Sequence, residues 1–336
     1  FFFFREYFPL DKFILWIGAL GVIFYFYRHY IEGGQFTKDH VKMNGKVVII
    51  TGANTGIGKE TALDLARRNA KIYLACRDNK RCEAARLEII EKTGNTNIFN
   101  RHLDLGNFQS VREFAEKFSK EEKHLDVLIN NAGVFYLPHS LTKDGCEIHM
   151  HVNHLGHFLL SHLLLELLKK APQGRIVNVS SLMYGRAKID QDDLHLQKPN
   201  NFEKWKAYSN SKLAQILTTQ RLAEKLKGTN VTINCLHPGV IYTDIGRHMT
   251  MPKIVEWLLY PIMVYLVNKS VKSGAQTSIC CAVDPDLANV SGKYFSDCVE
   301  VKDKKLYRQA KDEGMRDFIW KESIRLAKIP NNFSYK

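Results

Sequence analysis

The sequence predicts an α/β fold, a doubly wound parallel sheet of about seven strands with helices on both faces and an apolar helix at the N-terminus. Three observations carry this. Short runs rich in Val and Ile alternate with stretches of helical period. The first such run ends in a glycine-rich turn, TGANTGIG, ahead of a helical pattern. Residues 13–27, FILWIGALGVIFYFY, carry no charge.

The N-terminal segment comes first. Fifteen uncharged residues make about 22 Å of helix, short of a hydrocarbon core of about 30 Å. Lys12 and Arg28 flank it and can snorkel, and Trp16 and the tyrosines suit an interface. A cleaved signal peptide competes, but bulky YRHY stands where small residues would be expected. The expectation is a membrane anchor over 1–30, contacting membrane lipid, then a linker over 31–43 containing Gly33 and Gly34. More basic residues follow the segment (Arg28, Lys38, Lys42, Lys46) than precede it (Arg5, Lys12), which places the domain in the cytosol. The chain opens on Phe1 rather than Met, so residues upstream are expected.

A single domain is expected over 44–325, with a tail over 326–336. KVVIIT (46–51) reads as a buried strand, and GKETALDLARRNA as the helix after it. KIYLACR (71–77) is the second strand, followed by a charged helix over 79–93. IFNRHLDL (98–105) and LDVLINNAG (125–133) are the third and fourth strands, with the helix of FQSVREFAEKFSK between them. A long helix over 145–170, a strand at 174–181, a helix over 205–227, and strands at 231–239 and 291–297 complete the order.

Composition bounds the function. The 336 residues are 45% hydrophobic and 25% charged, with 48 Lys and Arg against 35 Asp and Glu, a net charge of +13. The basic residues are spread over many helix faces, without a Lys/Arg block or nucleic-acid motif, which argues against nucleic acid as a partner. Seven scattered cysteines without a C-x-x-C fit free thiols in a reducing compartment. His149, His151, His154 and His157 crowd one helix, but no acidic or Cys ligand accompanies them. A structural or interface role is expected there, and no metal.

Chemistry is expected beyond the carboxyl ends of the strands. Gly52, Gly56 and Gly58 let the backbone approach a pyrophosphate that the next helix N-terminus stabilises. Where an acid would bind a ribose hydroxyl, the second strand ends in Ala75, Cys76 and Arg77. Arg77 with Lys59 favours a 2′-phosphate, hence NADP(H), while Asp78 falls one place too late. In WKAYSNSKLAQ (205–215), Tyr208 and Lys212 stand four apart on one helix face. A phenol titrates near about 10, and a cation about 4–6 Å away lowers that by roughly one to three.

Together these motifs resemble the short-chain dehydrogenase/reductase family over residues 44 to about 300, a Rossmann-type fold. The resemblance implies a cofactor loop of Gly52, Asn54, Thr55, Gly56, Ile57, Gly58 and Lys59. It implies further cofactor contacts from Asp104, from Asn131, Ala132 and Gly133 of NNAG, and from Tyr208 and Lys212. Pro238, Gly239, Val240 and Thr243 of HPGVIYT match its nicotinamide-covering loop. Asn153, Ser181, Tyr208 and Lys212 match its catalytic tetrad, with Ser181 and Tyr208 also meeting substrate. Ser181 is preferred over Ser180, which is expected to pack beside the strand.

For alcohol oxidation the resemblance makes Tyr208 the base, with Lys212 supporting its phenolate, Ser181 holding the substrate oxygen, and Asn153 anchoring a water chain; aldehyde reduction runs in reverse. The apolar segment 250–268, TMPKIVEWLLYPIMVYLVN, falls where this family builds its substrate lid. With the N-terminal anchor, LACRD and LHPGV, the chain is similar to the family's microsomal, NADP-dependent retinol dehydrogenases of the endoplasmic reticulum membrane. A lipophilic substrate, retinol or retinal, is therefore expected. Steroids, other lipid carbonyls and medium-chain aldehydes stay open, as does a membrane-bound scaffold, which should have lost Tyr208 or Lys212. The long helix commonly pairs subunits in this family, so a homodimer is an assembly the resemblance allows.

Overall fold

The computed structural model describes residues 10–198, 200–241, 266–330 and 332–336, with side chains from residue 16 onward. Helix α1 (Leu10–Glu32) covers the apolar segment. Next come β1 (Val47–Thr51), α2 (Gly56–Arg67), β2 (Lys71–Cys76), α3 (Asn79–Thr93), β3 (Ile98–His102), α4 (Phe108–Glu121) and β4 (Val127–Asn130). A π-turn (Met150–Leu155) leads into α5 (Gly156–Leu163) and α6 (Leu165–Lys170), then β5 (Gly174–Val179), α7 (Lys204–Lys225) and β6 (Val231–Leu236). The chain closes with α8 (Val271–Val283), β7 (Tyr294–Ser296), β8 (Val299–Glu300) and α9 (Glu313–Leu326).

The strands form one sheet in the order β3-β2-β1-β4-β5-β6-β7-β8, parallel except for β8, which pairs antiparallel with β7. Burial on both faces explains why β1 reads VVIIT without polar alternation. Val47 and Ile49 enter one core with Leu128, Phe114, Leu160 and Leu213; Val48 and Ile50 enter the other with Leu65, Leu74 and Ile279. Each such side chain contributes about 1.5–3 kcal/mol of burial. From β1 the chain winds outward to β2 and β3, then returns to the other side of β1 as β4. The crevice therefore opens at the carboxyl ends of β1 and β4, where the direction of winding reverses.

Three expectations need adjustment, and the membrane anchor stays an expectation. The sheet has eight strands rather than about seven. The extra one exists because Asp297 and Cys298 take φ of +54° and +62°, forming a two-residue hairpin that carries no Gly to announce it. The long helix expected over 145–170 is divided into a π-turn and two helices. The segment set apart as a tail is packed: Ala327 and Ile329 are buried, and Phe333 and Tyr335 sit against the core around Trp320. Finally, among the described residues no helix is long and apolar enough to cross a membrane. Helix α1 nonetheless exposes Trp16, Ile17, Leu20, Ile23, Tyr25 and Phe26.

The apolar segment 250–268 lies outside the described residues as far as residue 265, as does Thr243.

Candidate active site

The turn after β1 is closed by contacts that only glycine allows. Gly52 has φ +66°, and a Cβ there would lie 2.8 Å from Ala132 Cα; a Cβ at position 58 would lie 2.6 Å from Gly52 O. Helix α2 thus starts directly against the crevice, with no acid in its first turn. Asn54, Thr55, Gly56 and Ile57 are half-buried along it. Backbone this close to an open helix N-terminus fits a pyrophosphate, so the residues present suit a dinucleotide.

Thr51 ties this turn to the fourth strand. Its Oγ1 accepts from Asn131 N at 2.9 Å and from Ala132 N at 3.0 Å, while Asn131 Nδ2 donates to Thr51 O at 2.9 Å. Gly133 follows, half-buried. His157 bridges deeper, with Nε2 2.8 Å from Thr51 Oγ1 and Nδ1 2.9 Å from Asn153 O. Burial pushes His157 down to about 3, so it serves as a neutral hydrogen-bonding group. The crowded histidines are engaged in hydrogen bonds: His151 meets Thr142 at 2.7 Å, His154 meets Ser323 at 2.7 Å, and His149 meets Glu147 at 2.6 Å, an acidic neighbour that the sequence reading had denied them. Thr51 and His157 were not singled out as site residues in the sequence, where a Thr ending a buried strand and a His on a crowded helix carry no distinguishing signal.

At the end of β2, Arg77 is exposed and Asp78 accepts from Arg81 N at 3.1 Å, capping α3. That cap ties the Asp78 carboxylate to the first turn of α3. Lys59, expected beside Arg77, is held by Glu88 at 2.8 Å. Lys59 and Lys92 together hold the Glu88 carboxyl below its usual range. Of the two expected phosphate cations, Arg77 is the more available. Asp104 is half-buried, and its Oδ1 accepts from Gly106 N at 3.0 Å to shape the turn after β3.

The remaining predicted groups converge beyond β5. Asn153, in the π-turn, accepts from Val134 N at 2.7 Å and donates to Val134 O at 3.0 Å and to Ser211 Oγ at 2.9 Å. Asn153 is buried within this π-turn, a feature often found at functional sites. Ser180 Oγ donates to Lys212 O at 2.8 Å and is buried beneath α7. Ser181 caps the 3₁₀ turn at Leu182 by accepting from Met183 N, and its hydroxyl meets the Tyr208 hydroxyl. The Lys212 ammonium lies 5.6 Å from the Tyr208 ring centre and donates to Val179 O at 2.9 Å.

One expectation reverses here. Lys212 was expected to lower the Tyr208 phenol, yet burial pushes Tyr208 up to about 12, with the Ser181 hydrogen bond opposing. Burial likewise pushes Lys212 down to about 8, Cys235 opposing. Both groups are deep in the protein, and desolvation of the charged form is the largest influence on each.

After β6, Pro238 leads to Gly239, whose φ of +94° turns the chain. A Cβ there would meet Lys269 Cδ at 2.7 Å. Val240 is exposed, and its carbonyl accepts from Lys269 N at 2.8 Å. Beside Tyr208 stands an aromatic wall that the sequence reading missed. Phe135 packs at 4.7 Å from Tyr208 and 5.0 Å from Trp205, and Tyr136 at 5.2 Å from Trp205. The signal was the run VFYL directly after NNAG.

The model of the short chain dehydrogenase family matches residues 46–192 and 196–253. The chain belongs to the short-chain dehydrogenase family. Members use nicotinamide cofactors, and the chain is an oxidoreductase of this family. It is 45% identical over 322 residues to retinol dehydrogenase 13 of Homo sapiens, covering 94% of this chain and 96% of that one. It is 49% identical to retinol dehydrogenase 11 of Mus musculus, covering 81% and 83%. Among solved structures, an uncharacterized protein from Mycobacterium Paratuberculosis aligns with TM-score 0.70 and 30% identity, covering 90% and 99%. A Shigella flexneri short chain dehydrogenase complexed with NADP aligns with TM-score 0.59 and 25% identity, covering 76% and 98%.

Proposed function

We propose that this short-chain dehydrogenase interconverts a lipophilic alcohol and its aldehyde, retinol and retinal first among them, with NADP(H). The observation that carries the reading is the Tyr208 hydroxyl against Ser181, with the Lys212 ammonium across the ring. Its relatives are named retinol dehydrogenases, and the edge-to-face wall of Phe135, Tyr136 and Trp205 offers an aromatic surface suited to a lipophilic substrate. Exposed Arg77 supports the phosphorylated cofactor.

A phenol pushed up to about 12 is protonated throughout the physiological range, the form that donates to a carbonyl oxygen. The direction itself follows the cofactor ratio, and a cellular excess of NADPH would favour reduction. Tyr208 donates its proton to the substrate oxygen, Ser181 holds that oxygen, and Lys212 stabilises the phenolate left behind. Gly52 and Gly58, the start of α2, Asn131 and Gly239 hold the dinucleotide, with Thr243 and Asp104 as further contacts. When bound, it supplies the hydride in reduction and accepts it in oxidation. The exposed apolar face of α1 supports residence at the endoplasmic reticulum membrane, with the domain in the cytosol.

The test offers purified protein NADPH with retinal, a keto-steroid and straight-chain aldehydes, beside Tyr208→Phe. Retinal should turn over fastest, and the variant should keep at most a few per cent of the rate. A variant as active as the wild type would overturn the assignment, and preference for the keto-steroid would change the substrate class.

A further inference from the structure

Gln215 lies three residues beyond Lys212 on α7 and is 2% exposed. Its Oε1 accepts from Lys212 Nζ at 3.2 Å, and its Nε2 donates to Asn153 O at 2.8 Å. Asn153 Nδ2 donates to Ser211 Oγ at 2.9 Å, and Ser211 Oγ donates to Tyr208 O at 2.7 Å. The circuit therefore runs from Lys212 through Gln215, Asn153 and Ser211 to the backbone of Tyr208.

What surrounds the Lys212 ammonium makes Gln215 stand out. Its other acceptor among the described residues is a single carbonyl, Val179 O, at 2.9 Å. The titratable groups facing it are Tyr208 on its own helix, Cys235 from β6 and His157 from α5. Burial pushes Cys235 up to about 12 and His157 down to about 3, so both are neutral near pH 7. No carboxylate pairs with Lys212 among the described residues.

We infer that Gln215 is a positioning residue for the proposed reaction, holding the Lys212 ammonium at the Tyr208 ring with a neutral acceptor. The inference rests on the reading that Tyr208 and Lys212 carry the catalysis. An amide suits this position better than either alternative. A carboxylate would favour the ammonium but cancel its field at the phenol, and an apolar side chain would leave a buried charge on one carbonyl. Without Gln215 the ammonium is less favoured and less well aimed. The phenolate then loses support, and Tyr208 gives up its proton only at higher pH.

The experiment measures kcat and KM for retinol oxidation from about pH 6 to pH 10 in wild type, Gln215→Met, Gln215→Asn and Tyr208→Phe. Cofactor affinity and melting temperature are taken alongside. Gln215→Met should lower kcat about tenfold at pH 7, with KM and cofactor affinity nearly unchanged. The rising limb of its pH profile should move about one unit upward, so the deficit shrinks at alkaline pH. Gln215→Asn keeps an amide one methylene short and should lose less at every pH; it supplies the same comparison if the Met variant does not fold. A profile unshifted in both variants would overturn the inference, even if melting temperature falls. Full activity in Tyr208→Phe would overturn the underlying reading instead.

Discussion

Asn153 and Val134 hold each other through two hydrogen bonds, the backbone N–H of Val134 to Oδ1 at 2.7 Å and Nδ2 to the Val134 carbonyl at 3.0 Å. This pair fixes the loop leaving β4, and with it Phe135 against Tyr208. Asn153→Ala leaves a donor and an acceptor unpaired and should cost roughly 1–3 kcal/mol of stability. Turnover should fall more than cofactor binding, because the substrate wall moves while the Thr51 ties remain. Thermal melts and paired kinetic and binding assays check this; intact kcat would show that the loop is held otherwise.

The buried Lys212 makes stability depend on pH in a defined window. Its folded value, about 8, lies below its ordinary 10.5, so the native state disfavours the charged form. That penalty is complete below pH 8 and is relieved as pH rises from 8 toward 10.5, since the unfolded chain binds the extra proton there. Relative to Lys212→Met, the wild type should gain on the order of 1 kcal/mol per pH unit across that window. Denaturant melts of both proteins at pH 7 and pH 9.5 check this. A constant difference would place the ammonium in a better-solvated site.

Cofactor choice should rest on Arg77 more than on Lys59. A charge-assisted hydrogen bond contributes on the order of 1.5–3 kcal/mol, so Arg77→Ala should weaken NADPH roughly 10- to 100-fold and leave NADH nearly unchanged. Lys59→Ala should cost less, because Lys59 already pairs with Glu88 at 2.8 Å. Titration of both cofactors into the three proteins ranks them; equal losses for NADPH and NADH would remove Arg77 from the phosphate site.

Membrane attachment should reside in the first 30 residues, where α1 exposes its apolar side chains. Alkaline carbonate should leave the full chain on microsomes, and deletion of residues 1–30 should release much of it. Protease added to sealed microsomes should digest the domain without detergent. Protection of the domain would reverse the expected orientation.

Much of this molecule was legible in its residues because the relevant signals are local. Buried parallel strands read as unbroken apolar runs, and TGANTGIG and Y-x-x-x-K have short fixed spacings. What was missed depends on partners distant in sequence. The Lys59–Glu88 pair joins two helices, and the Phe135 wall forms only when the β4 loop meets α7. The upward displacement of Tyr208 was not legible either, since spacing reveals the neighbouring cation but not the depth of burial. The π-turn at Met150–Leu155 also hides, because its residues have ordinary helical patterning.

Helix α9 and the residues after it lie across α5 and α7. Trp320 packs edge-on to Phe158 at 5.2 Å, Tyr335 meets His162, and Lys225 sits over the rings of both Trp320 and Tyr335. Removing Phe333 and Tyr335 would therefore uncover Trp320 and loosen the support behind α7, the helix that carries Tyr208 and Lys212.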